Sequence, residues 1–425
     1  FWQIDLIKGG RVKRHFKEIE FIITDFNSEK AKEIQKTNLR SILAHASSTT
    51  PFYKNLELSN RLKDFPLINK NLIRENFDSF KSNACLNDNN VSVYTSGSTG
   101  TPFKIYHDAN KRVRNTADTI YFAGLSGFKV GFKLVYLRHW DQYNIKNPIL
   151  AFLQNILMHP VAKLSNQDLK DLFNKLDKDN SPKGILAYAS ALDNLSKYID
   201  VYKPEKKDYK VKSIVGMAER LSDYAKNTLE NFFNVPVISR YSNVENGIMA
   251  QQLPNGSKDF LINAASYHIE ILDLNQDKPV KPGEVGRIVV TDLFNRCMPM
   301  IRYETGDIGA LSEIEFNGNK LPALTKVEGR RMDMIFNTKG EHISSYTVYH
   351  LLKYANINQF QFIQEGQKQY LLKLNVNDSF NCEQDILEEF RNHLGEDASI
   401  RVEYVNEIPL LSSGKRKLVV NAIAS

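Results

Sequence analysis

The chain has 425 residues, more than one hydrophobic core usually supports, so two or three structural units are expected. Its 42% hydrophobic and 25% charged residues are ordinary for a soluble globular protein, and with no run of about 18 apolar residues no spanning helix is expected. A net charge of +7, concentrated in residues 8–17 and 203–212, comes without a helix-turn-helix, zinc or RNA-binding signature, so no nucleic-acid partner is expected. Solvated surface explains that charge, weak peripheral membrane contact is compatible with it, and a basic field also suits a multiply charged nucleotide substrate. Cys85, Cys297 and Cys382 are too scattered for a disulfide framework or a zinc site. The opening Phe1-Trp2-Gln3 is not followed by a signal-peptide cleavage pattern, so the expected location is the cytoplasm.

Residues 28–47 read as an amphipathic helix, with Ile34, Leu39, Ile42, Leu43 and Ala46 on one face and Ser28 as N-cap. Pro51 and Pro66 punctuate the turns that follow. Helical stretches near 109–125 and 165–178 alternate with apolar runs at 133–137, 184–187, 211–215 and 235–238, a pattern that predicts α/β layers around a largely parallel sheet. Between 259 and 312 strands and turns take over, which predicts a β-rich subdomain. Beyond Gly329 a helix at 344–355, paired strands at 359–364 and 370–376, a helix at 383–394 and a strand at 399–405 make a compact α+β unit. The predicted fold class is therefore α/β, a large N-terminal body (1–328) followed by a small mobile lid (329–425).

Tyr94-Thr95-Ser96-Gly97-Ser98-Thr99-Gly100-Thr101-Pro102-Phe103-Lys104 is rich in glycine and hydroxyls. Its backbone N–H groups and hydroxyls suit phosphate oxygens, although by itself such a loop is more often an ordinary turn. It is neither a Walker A loop nor a dinucleotide fingerprint. Four further stretches fall at telling places. Gly216-Met217-Ala218-Glu219-Arg220 and Tyr241-Ser242-Asn243-Val244-Glu245 sit where strands end, the place where ligands bind in open α/β sheets. Tyr303-Glu304-Thr305-Gly306-Asp307 puts an aspartate, suited to ribose hydroxyls, after a glycine turn. Gly329-Arg330-Arg331-Met332-Asp333 reads as a hinge or a plain linker. Leu411-Ser412-Ser413-Gly414-Lys415-Arg416-Lys417 is a basic loop, either merely solvated or able to deliver a lysine to a phosphate. His139-Trp140 border either an acyl pocket or a buried aromatic pair.

In this order, and over most of the chain, these stretches resemble the adenylate-forming superfamily of acyl-CoA synthetases, adenylation domains and luciferases. Thr50-Pro51-Phe52-Tyr53, Phe65-Pro66-Leu67-Ile68-Asn69-Lys70, the short length and Lys8-Gly9-Gly10 are most similar to the phenylacetate–CoA ligase branch and its CapK-type members linked to capsular polysaccharide. The resemblance implies that Thr95, Ser96, Gly97, Ser98, Thr99, Gly100 and Thr101 wrap the ATP phosphates, with Lys104 near. It implies that Ala218, Glu219 and Tyr241 bound the adenine, that Asp307 and Arg330 meet the ribose, and that Glu245 holds Mg²⁺. Lys415 would be the catalytic lysine. After rotation about 329–333, Gly340 would face the site for thioester formation. The activity implied is ATP-dependent activation of a small carboxylic acid, then transfer to coenzyme A. Transfer to an amine or hydroxyl of a sugar or carrier is the alternative, and a non-catalytic nucleotide-binding protein the third reading. Phe103 stands where the family lysine usually follows the proline, Val244 where a hydroxyl residue precedes the glutamate, and Met332 at a usually charged hinge position. Leu410 and Leu411 replace a basic-polar pair.

Overall fold

The structure is a computed structural model that describes residues 1–56, 61–83, 90–95, 103–140, 145–161, 164–330, 335–343, 348, 356–409 and 418–423. Three helices open the chain, α1 (Trp2–Ile7), α2 (Arg11–Thr24) and α3 (Glu29–Thr49). The Ser28 hydroxyl accepts from the Ala31 N–H and starts α3, as its sequence predicts. The short α4 (Lys70–Glu75) is capped by Asn69. The hairpin β1 (Val91–Thr95) and β2 (Phe103–His107) follows, then α5 (Ala109–Leu125), whose cap is Asp108.

The body is built on one 11-stranded sheet. Its parallel half comprises β3 (Lys133–Arg138), β4 (Ile156–Pro160), β5 (Lys183–Tyr188), β6 (Val211–Met217) and β7 (Val237–Asn243). Between them run α6 (Pro148–Leu153), α7 (Asn166–Lys178), α8 (Ala189–Tyr202) and α9 (Asp223–Phe233). Ser165 and Asp168 close a capping box on α7. Leu172, Leu192, Leu195 and Leu229 of these helices bury against Val135, Ile185 and Ile214 on one face. On the other, α2 and α5 pack Ile22, Ile23, Ala117 and Phe122 against Ile248 and Leu261. Buried on both faces, β5 and β6 read as near-continuous apolar runs rather than alternating ones.

The antiparallel strands β8 (Gly247–Gln252), β9 (Phe260–Ile262), β10 (Tyr267–Leu272), β11 (Gly286–Asp292), β12 (Tyr303–Phe316) and β13 (Asn319–Arg330) extend this same sheet, in the order β10-β11-β12-β13-β9-β8-β7-β6-β5-β3-β4. The β-rich stretch expected over 259–312 is present, and its strands are continuous with the sheet of the body. The tight return from β7 to β8 reverses the chain beside its own strand, and β9 and β13 carry the ladder onward.

After the small hairpin β14 (Ile335–Phe336) and β15 (His342–Ile343) comes a four-stranded sheet. Its strands are β16 (Ile357–Gln364), β17 (Gln369–Val376), β18 (Ser399–Tyr404) and β19 (Val419–Asn421). The helix Glu383–Leu394 lays Ile386, Phe390 and Leu394 on it, with Phe390 stacked at 4.6 Å on Phe362. The helix expected at 344–355 lies outside the described residues except at Val348. Lys197 Nζ on α8 donates to the Ile357 carbonyl of β16 at 2.6 Å. Among the described residues no helix is long and apolar enough to cross a membrane.

Candidate active site

The C-terminal ends of β5, β6 and β7 converge on the return between β7 and β8, and that return is held from several sides. Asn243 Oδ1 accepts from the Asn246 N–H at 2.7 Å. His107 Nε2 donates to the Glu245 carbonyl at 2.7 Å, and Tyr267 OH donates to the Asn246 carbonyl at 2.5 Å. Burial, with Lys111 nearby, lowers the His107 pKa, so the ring is the neutral Nε2–H form that this contact needs.

This fixed return carries Glu245, whose side chain is buried. Its Oε1 accepts from Tyr303 OH at 2.9 Å and lies 2.8 Å from Lys70 Nζ. Burial first, and the Glu245 charge second, push the Tyr303 phenol well above its ordinary pKa, so it remains a donor. Tyr241, two-thirds along β7, donates to Asp307 Oδ2 at 2.8 Å and to Thr305 Oγ1 at 3.2 Å. Its phenol is likewise raised, by burial and then by Asp307. Tyr241, Glu245 and Asp307 are therefore brought together, as expected of a shared pocket.

Asp307 does not follow a turn, as its sequence suggests. It lies inside β12, where Gly306 at φ +87° and a register shift after Asp307 make a bulge. A bulge re-aims a side chain, and Gly306 supplies the left-handed backbone it needs. The Thr305 hydroxyl accepts from the Asp307 N–H at 3.1 Å and steadies it. Arg330 pairs with Asp307 in register across β12 and β13.

Other expected residues are placed less centrally. Ala218 follows β6 with φ +69° and is exposed. Glu219 Oε2 accepts from the Ser190 N–H at 3.0 Å, in the first turn of α8. Thr95 pairs with Phe103 at the mouth of the hairpin. Phe103 is fully buried, with Lys70 Nζ 5.6 Å and Arg74 5.8 Å over its ring. Lys104 points the other way along β2, its Nζ 4.7 Å over the Tyr106 ring, and a hydrogen bond with that phenol raises its pKa. Gly340 sits in the β14–β15 turn at φ +83° with open space where a Cβ would be. Trp140 packs edge-on to Tyr136 at 5.2 Å, so the aromatic pair is Tyr136–Trp140 and not His139–Trp140. Ser96, Gly97, Ser98, Thr99, Gly100, Thr101, Met332, Leu410, Leu411 and Lys415 lie outside the described residues.

Lys70, Tyr303 and Thr305, which lie in the quoted stretches without an assigned role, join the cluster together with His107, which lies in none. For Lys70 a signal existed in Phe65-Pro66-Leu67-Ile68-Asn69-Lys70: Ile68 bridges Tyr303 in parallel, and Glu304 donates its N–H to the Ile68 carbonyl at 2.8 Å. That added ladder places Lys70 beside Glu245. Among the described residues no group of three or more His, Cys, Asp or Glu is arranged to hold a metal ion. Both contacts of Glu245 fall on Oε1, and a single carboxylate oxygen combined with substrate phosphates is the usual way to hold Mg²⁺. The residues present fit that ion on those terms.

Residues 335–422 match the CapK C-terminal domain family. The chain is 23% identical over 416 residues to Protein CapK of Staphylococcus aureus, covering 92% of this chain and 89% of that protein. It is 21% identical over 419 residues to phenylacetate-coenzyme A ligase of Pseudomonas putida, covering 92% and 86%. A crystal structure of 2-hydroxyisobutyryl-CoA ligase in the postadenylation state superposes with a TM-score of 0.72 at 17% identity, over 92% of this chain and 89% of that one. In sequence the chain is thus similar to Protein CapK and to phenylacetate-coenzyme A ligase, and it shares its fold with 2-hydroxyisobutyryl-CoA ligase.

Proposed function

We propose that this chain is an adenylate-forming ligase that activates a small carboxylic acid with ATP. The observation that carries the reading is the joined Tyr241–Asp307 and Glu245–Tyr303–Lys70 cluster at the strand ends of this fold. In the proposed step a carboxylate oxygen of the acid attacks the α-phosphorus of ATP. The new O–P bond forms as the bond to pyrophosphate breaks, giving a mixed anhydride. A carboxylate is a poor partner for another anion, so positive charge must be brought to the reacting groups. Lys415 is assigned that role, and residues 95–101 with Lys104 the role of holding the triphosphate. Tyr241, with Ala218 and Glu219, bounds the adenine, while Asp307, held by Tyr241 OH, and Arg330 take the ribose hydroxyls. Glu245 would hold Mg²⁺, which when bound offsets phosphate charge. His139 and Trp140 border the acid.

Coenzyme A is the proposed acceptor: its thiol would attack the acyl carbon and AMP would leave, with Gly340 facing the thiol after the lid (329–425) rotates on the body (1–328) about 329–333. The names of the phenylacetate and 2-hydroxyisobutyryl relatives support a thiol acceptor. ATP–pyrophosphate exchange with a panel of carboxylic and amino acids tests the reading. Exchange followed by CoA-dependent AMP release is the expected result, and Lys415→Ala should lower exchange on the order of 10²–10³-fold. Exchange without CoA dependence points to an amine or hydroxyl acceptor on a sugar or carrier. ATP binding with no exchange for any acid would overturn the enzyme reading in favour of simple nucleotide binding.

A further inference from the structure

Arg240 is 7% exposed, and no carboxylate pairs with it among the described residues. Among the described residues its side chain makes one hydrogen bond, from Nε to Gln251 Oε1 at 2.9 Å. Gln251 is itself fixed, its Nε2 donating to the Phe122 carbonyl of α5 at 2.7 Å. A neutral partner thus orients the guanidinium, and its two terminal nitrogens meet no acceptor among the described residues. Burial draws its pKa down to about 10, which keeps it charged at neutral pH. An uncompensated buried cation is costly, and an arginine cannot discharge by losing its proton as a lysine can.

Its surroundings are short of acceptors. Strand register sets Arg240 beside Met217, Met217 beside Tyr188, and Leu137 beside Ala187, so Arg138 ends the same row on the α5 face of the sheet. Arg138 has no acidic partner among the described residues; its Nη1 donates to Tyr136 OH at 3.4 Å. Tyr136 OH in turn lies 4.0 Å from Met217 Sδ, between the two arginines. Trp140, edge-on to Tyr136, holds a buried Nε1–H that no acceptor meets among the described residues. Two guanidiniums, an indole N–H and a phenol therefore converge at the C-terminal edge, one residue back from Tyr241 and on the opposite face of the pleat.

We infer that the acid this site takes is a dicarboxylic acid, whose distal carboxylate pairs with Arg240 while the other is adenylated. The inference rests on the ligase reading above. A guanidinium fork matches a carboxylate with two parallel hydrogen bonds, and Tyr136 and Trp140 supply an apolar wall for the carbon chain.

The test measures ATP–pyrophosphate exchange with matched acids: pentanoate against glutarate, hexanoate against adipate, benzoate against terephthalate. A diacid in at least one pair should exceed its monoacid in kcat/KM on the order of 10²-fold or more, and Arg240→Met should erase or invert that preference. Wild-type preference for the monoacid in every active pair overturns the inference and leaves the ligase reading standing. ATP binding without exchange for either class overturns the ligase reading, and the inference with it. Thermal melting gives a second readout. Arg240→Met should melt at or above the wild type and lose the stabilisation that saturating diacid gives, whereas a lower melting temperature with the diacid preference intact makes the arginine structural. Should that variant not fold, Arg240→Lys keeps the charge without the fork, and a diacid KM raised about tenfold with kcat kept is expected; an unchanged KM overturns the inference.

Discussion

The two faces of β7 end in opposite states of charge balance. On the Tyr241 side, acids meet donors supplied by the chain: Asp307 takes Tyr241 OH, and Glu245 takes Tyr303 OH and Lys70. On the Arg240 side, cations and an indole N–H stand with no acid among the described residues. The first arrangement is set before any ligand arrives, which suits a part of the site that every turnover uses alike. The second is incomplete by one anion, and selectivity is the natural consequence, because a buried charge discriminates between a ligand that completes it and one that does not.

Breaking the balanced side should cost most. Glu245→Gln keeps the shape but removes the charge that faces Lys70, and pyrophosphate exchange is expected to fall on the order of 10²–10³-fold. Lys70→Met leaves Glu245 buried without its cation. Because the Lys70 side chain is 28% exposed against 2% for Glu245, the loss in urea unfolding should be about 2–3 kcal/mol, below the range for a fully buried pair. A Lys70→Met protein as stable as the wild type would mean that the pair contributes nothing to the fold. Tyr303→Phe is milder, since Lys70 remains: a lost hydrogen bond to a buried charge is worth about 1.5 kcal/mol by the same measurement.

Much of the frame was legible because its causes are local. Ser28 marks a helix start by cap chemistry, and the buried runs of β5 and β6 announce parallel strands. The helix Glu383–Leu394 and the paired strands β16 and β17 follow from periodicity alone. What escaped depends on partners far away in sequence. Whether the strands after β7 form their own unit or extend the sheet is decided by β8 folding back on β7. Gly306-Asp307 has turn composition, but pairing with β11 and β13 keeps it within a strand as a bulge. Lys70 reaches Glu245 only through the Ile68–Tyr303 bridge, and Arg240 looked like any strand residue because burial without a counter-charge has no sequence signature.

Asp193 on α8 offers the gentlest test of the comparison, since it is a buried charge of the opposite sign. It is 6% exposed, accepts a hydrogen bond from the Ser222 hydroxyl, and burial pushes its pKa up to about 7. The folded carboxyl keeps its proton up to about pH 7, while an unfolded one releases it near pH 4. Between those values the folded state binds more protons, so its stability contribution is full at low pH and is lost as pH rises. Asp193→Asn keeps the acceptor for Ser222 without the charge. It should leave stability nearly unchanged at pH 4 and raise it by about 1–3 kcal/mol at pH 8, read from urea unfolding at the two pH values. A gain of equal size at both would show that packing, and not ionisation, sets the difference. An aspartate in this position relieves its burial by taking up a proton; Arg240, which cannot shed one at neutral pH, meets no anion among the described residues to do the same.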